Sequence, residues 1–177
     1  MQSKQKRGTW VIILTFIIAL ILTVIPLPES WSPYRPDWIL LVFSYWVIAL
    51  PHRIGLLWAF IWGLIFDALL GSTLGLHSFT LCVIAFILQL NYLRIRIYPI
   101  WKQALTMGGI ALLYLALVLW LSRVTGSPES TWTYWISAAI DAVLWPWLFI
   151  LLRDIRRYFN EWNRQKKLQF LKKRSEE

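Results

Sequence analysis

The chain has 177 residues, of which 58% are hydrophobic and 15% charged, with a mean hydropathy of +0.56, and that balance excludes a soluble globular domain in favour of a membrane protein. Its net charge of +9 gathers at the ends of apolar segments, where basic residues set topology and meet anionic headgroups, and this argues against nucleic acid as a partner. One cysteine, Cys82, excludes an intrachain disulfide, and two histidines with no CxxC leave no basis for a metal site or a cofactor.

In chain order, Lys4, Lys6 and Arg7 precede a first apolar span, Trp10 to Ile25, stopped at Pro26. No small-x-small site follows it, so it reads as a retained helix and not as a cleaved signal peptide. PLPESWSPYRP then holds four prolines in eleven residues, enough to forbid helix. The second span, Asp37 to Leu50, covers only about two-thirds of a hydrocarbon layer at the helical rise. Either Arg35 or Asp37 is placed to cap its start. The third span runs from Gly55 to Leu70 and the fourth from Leu76 to Leu93, followed by a basic surface connection carrying Arg94, Arg96 and Lys102. A fifth span covers Gln103 to Leu121, and a sixth covers Trp132 to Leu152 with a proline kink expected from Pro146. This predicts an all-α polytopic membrane protein with six transmembrane helices in residues 1–152 and a basic cytoplasmic tail in 153–177. On that tail Ile155, Phe159 and Trp162 share a helical face, so its first part is expected to lie on the membrane, presenting Arg153, Arg156, Arg157, Arg164, Lys166 and Lys167 to anionic lipid.

The most distinctive stretch is PHRIGLLWAFIWGLIFDALLGSTLGLH, Pro51 to His77. Gly55, Ala59, Gly63, Asp67, Gly71 and Gly75 recur at every fourth position, which on a helix makes a slanting ridge of small residues that admits a neighbouring backbone. The ridge is therefore a candidate partner interface. Asp67 lies about one turn, roughly 6 Å, inside the far membrane face, and Asp141 lies deeper in the sixth span. Each carboxylate is either a binding or proton-relay group or is satisfied within the bundle. His77, at the start of the fourth span, is in reach of Asp67; with Asp141 and Pro146 it completes the buried polar candidates.

Charge sets the orientation. With six spans, sixteen of the eighteen basic residues fall on the side of the N-terminus, Arg53 and the tail, leaving Arg35 and Arg123 opposite. Both termini are then cytoplasmic. No GxSxG, HExxH or phosphate-loop motif is present, so no catalytic group is assigned.

RPDWILLVFSYWVIALPHRIGLLWAFIWGLIFDALLGSTLGLHSF, Arg35 to Phe79, together with DAVLWPWLFILLR, Asp141 to Arg153, resembles the bacterial rod-shape-determining membrane protein family MreD in its proteobacterial form. The Gly63-xxx-Asp67-xxx-Gly71-xxx-Gly75 spacing is the specific part of the match. The resemblance implies a non-enzymatic inner-membrane subunit of the cell-elongation complex. It implies association with MreC, a bitopic protein, and through it with the peptidoglycan polymerase and transpeptidase and the MreB filament. It also implies an alternative, since the family is thought to share its fold with the substrate-binding membrane subunits of vitamin transporters.

Overall fold

The computed structural model describes the backbone of residues 3–26, 28, 34–126 and 134–175, and the side chains of 9–26, 28, 34–126, 135–159 and 161. Among these residues there are six helices and no strand: α1 (Ser3–Val24), α2 (Trp38–Ala49), α3 (Leu56–Leu70), α4 (Leu76–Ile97), α5 (Ile100–Val124) and α6 (Tyr134–Ser175). By length and composition three stretches are able to cross a membrane, Leu76–Ile97, Ile100–Val124 and Trp135–Phe159; the other apolar helices, Thr9–Val24, Trp38–Ala49 and Leu56–Leu70, are shorter.

α2 is the centre of the molecule. Its sequence, WILLVFSYWVIA, has no polar face, and a helix that is apolar all round has to be enclosed. All ten residues from Ile39 to Ile48 are buried. Around it α1 meets α3, α3 packs along α4, α4 along α5, α5 along α6, and α6 returns to α1, while α2 itself packs on α1, α4 and α6. The ring is stitched from α1 inward. Trp46 Nε1 donates to Thr15 Oγ1 at 2.8 Å, and the rings of Phe16 and Trp62 stack with centroids 4.6 Å apart.

The close approach expected of the small-residue ridge is found, and the neighbour is the chain's own α4. A Cβ on Gly63 would lie 2.3 Å from Ser78 Cα, and Ala59 has no exposed surface. The ridge does not extend as a single helical face, because α3 ends at Leu70. Gly71 and Gly75 sit in the turn with φ of 65° and 101°, in open space, and there the absence of a side chain permits the left-handed backbone. Gly55 precedes α3, where a Cβ would meet only the Gln89 amide.

A further expectation is corrected. The basic connection from Arg94 to Lys102 is mostly helix, with only Tyr98 and Pro99 between α4 and α5; Pro99 disfavours helix at the residue before it, and Arg94 and Arg96 suit the negative end of the α4 dipole. The tail continues α6 without a break to Ser175, and Ile155 and Phe159, each half-buried, pack against the bundle core. The side chains of Trp162, Arg164, Lys166 and Lys167 lie outside the described residues. Pro146 stands inside α6, half-buried.

The α3–α4 seam makes a direct prediction. Gly63→Ala should cost about 1–3 kcal/mol by overpacking a backbone contact, seen as a lower thermal midpoint in detergent. Gly109→Ala, exposed within α5 with no atom within 4 Å of the added carbon, should not lower the midpoint and should raise it slightly through helix propensity.

Candidate functional site

Ionisable groups converge at one end of the bundle, where α1, α3 and the α2, α4 and α6 starts come together. α3 and α4 are joined by five residues, Gly71 to Gly75, and Asp67 organises both sides of that turn. Its backbone carbonyl accepts from the N–H groups of Gly71 and of Ser72 (3.1 Å), which closes α3. Its carboxylate, with no exposed surface, accepts from the N–H groups of Gly75 at 2.9 Å and His77 at 3.0 Å, with Ser78 N–H at 3.4 Å. These are the free donors of the first turn of α4, which has no cap from its own N-cap residue, Gly75. An anion at this position also complements the helix dipole.

The remaining capacity of the carboxylate is filled by side chains. Ser72 Oγ donates at 3.0 Å, Ser78 Oγ lies at 3.3 Å, and His77 Nδ1 lies at 2.7 Å. Because a carboxylate only accepts, Nδ1 carries the hydrogen in that contact. His77 is packed edge-on against Phe66, with Tyr114 beyond it at a centroid distance of 6.3 Å.

Asp141 performs the same task for α2. It is fully buried, and its Oδ1 accepts from the N–H of Asp37 at 3.0 Å across 104 residues of sequence. Asp37 occupies the N-cap position of α2 yet makes no side-chain cap bond. Arg35 does not cap that start either. Its guanidinium donates to the carbonyl oxygens of Leu22, at 3.3 Å, and Ile25, closing the end of α1. At the opposite end of the bundle, Arg156 Nη1 lies 3.4 Å from the Ala49 carbonyl at the end of α2, and Gln89 Nε2 donates to the Pro51 carbonyl at 3.0 Å. Cations thus meet helix C-termini and anions meet helix N-termini.

Of the residues singled out from sequence, the fold brings Asp67, Gly75 and His77 together, with Asp141 on the adjoining side through Asp37. Gly55, Ala59 and Gly63 line the α3–α4 seam, and Pro146 lies one turn or more below Asp141 on α6. Arg153 contacts Asp154 at 3.5 Å, and Arg157 is exposed. Ser72, Thr23 and Tyr114 were not singled out. Ser72 carries a signal in hindsight, a hydroxyl one residue after a turn glycine; Tyr114 and Thr23 reach the cluster only through tertiary packing.

A family model described as rod shape-determining protein MreD matches residues 4–155. The chain belongs to the MreD family. The Rod shape-determining protein MreD of Haemophilus influenzae is 36% identical over 160 residues, covering 89% of this chain and 97% of that protein. No solved structure matches the chain. Membership of the MreD family makes this a non-enzymatic, multi-pass inner-membrane protein of rod-shape determination.

As an MreD-family chain it has in Asp67 a side chain whose removal orphans several buried donors at once. Asp67→Ala should lower stability by about 3 kcal/mol or more, a fall of roughly 6–12 °C in the midpoint for a chain of this size. His77→Ala, which leaves the backbone donors capped, should cost less than half of that. Equal losses would contradict the capping role.

Proposed function

We propose that the chain crosses the membrane six times with both termini in the cytoplasm and serves as a scaffold subunit of the cell-elongation complex. It holds an MreC-like bitopic protein and, through it, the peptidoglycan polymerase and transpeptidase and, indirectly, the MreB-type filament. The family match over residues 4–155 is the observation that carries this reading. The sixteen-to-two distribution of basic residues supports the orientation. Arg94, Arg96 and Lys102, exposed at the same end as Arg53, supply the surface for anionic lipid.

Because Ala59 and Gly63 are covered by α4, a partner helix meets the outward faces of the ring and not the ridge. α1 offers Leu14, Ile17, Ile18 and Ile21 outward, and α3 offers Leu57, Phe60, Ile61 and Ile65. In such faces association depends on van der Waals packing between helices, since lipid tails are as apolar as leucine. Depletion of the chain should round rod-shaped cells, and a tagged chain should retain the MreC-type protein through solubilisation. Cells that stay rod-shaped but take up a vitamin poorly would instead favour the transporter-type alternative.

A further inference from the structure

Capping leaves two carboxyl groups at the head of α2 without a counter-charge. Asp67 has His77 as its ion-pair partner, whereas no ion pair joins Asp37 or Asp141 to a cationic side chain among the described residues. Asp141 has no exposed surface; its Oδ1 accepts from the Asp37 N–H at 3.0 Å, but its Oδ2 is enclosed without a hydrogen-bond partner. Asp37 Oδ2 is enclosed and unpartnered as well. The groups facing them from neighbouring elements do not make up the deficit. Arg35, before α2, directs its guanidinium to the carbonyl oxygens that end α1. His77, from the start of α4, is held by Asp67. α5 brings the Tyr114 phenol, whose electrostatic neighbours are Asp37, Asp67 and Asp141. α1 brings no titratable group among its described side chains.

We propose that Asp37 and Asp141 hold one proton between them at neutral pH, as a latch that ties α6 to the head of α2. An isolated carboxylate in an apolar interior neutralises in preference to losing its hydration, and two side by side cannot both ionise without repulsion. One proton answers both. A protonated carboxyl has an O–H to donate and keeps an oxygen that accepts. Asp141 therefore goes on accepting the Asp37 N–H through Oδ1 while its Oδ2–H turns to the Asp37 carboxylate. Arg35 and His77 are the cations whose fields reach Asp37, which makes Asp37 the member of the pair that keeps the negative charge. Asp37 is half-buried where Asp141 is enclosed, so the proton enters and leaves from the Asp37 end of the bundle. Its release puts a second negative charge at the head of α2 and loosens the α2–α6 contact there.

The latch does not depend on the scaffold reading, so its test needs no partner. The full-length chain in detergent should show the infrared C=O stretch of a protonated carboxylic acid at neutral pH, and Asp141→Asn should remove it. Asp37→Asn should displace that band without removing it, because the group accepting the O–H has changed. Asp141→Asn reproduces both contacts of the protonated acid, so it should melt no lower than the unmodified chain at neutral pH. The folded chain holds a proton that the unfolded chain releases in the ordinary carboxyl range, so stability falls as pH rises until the fold itself lets the proton go. Relative to Asp141→Asn, the unmodified chain should lose about tenfold in its folded-to-unfolded ratio per pH unit, roughly 3–5 °C in midpoint, until the band disappears. No band, a band that survives Asp141→Asn or stays unmoved in Asp37→Asn, or an Asp141→Asn chain that melts lower at neutral pH would overturn the proposal.

Discussion

The Asp67 carboxylate is the interaction on which the α3–α4 pair depends. In an apolar bundle the first N–H groups of a helix have no water to turn to, and leaving them unmade costs more than any single packing contact returns. Asp67 supplies the acceptors for α4 while its own carbonyl terminates α3, so one residue ends one helix and begins the next. With that hinge fixed, Gly63 is brought against Ser78 and the two helices run in contact. α1, α2 and α5 pack against this pair, and α6 joins through α5, α2 and α1.

The same requirement explains the other buried charges. α2 has 12 residues, roughly 18 Å of helix, too short to bring both ends to water across about 30 Å of hydrocarbon. Its ends therefore meet protein groups: Asp141 at the start and Arg156 near the finish. The buried acids Asp67 and Asp141 are thus accounted for first as caps, while one oxygen each of Asp37 and Asp141 is left outside the capping scheme. In this membrane protein of rod-shape determination the polar interior is spent on helix ends, and the outward faces of α1 and α3 stay apolar.

Much of the fold was legible in the sequence. Uninterrupted apolar runs separated by Pro, Gly and basic residues located all six helices, and the Gly-xxx-Asp spacing marked where two backbones come close. Other features were not legible. A small-residue ridge says that a helix packs there but not whose, and it took the fold to show that α4 fills it. The ridge also overran its helix, since a four-residue spacing continues through a turn as readily as through a helix. Asp141 to Asp37 and Arg156 to Ala49 join residues more than a hundred positions apart, and no local pattern carries such pairings. Arg35 and Asp37 misled because flanking a proline is a sound signal for a cap, while the Arg35 guanidinium instead meets the carbonyls that end α1. An apolar face such as that of Ile155 and Phe159 does not by itself say how far it meets the bundle.

The central claim is that Asp67 holds the first turn of α4, and amide hydrogen exchange over Ser72 to Thr80 tests it most directly. In the unmodified chain the amides of Gly75, His77 and Ser78 should exchange slowly. In Asp67→Ala they should become fast while Leu81 to Leu88 stays protected. Fast exchange at those three amides in the unmodified chain, or no change on removing the carboxylate, would contradict the account.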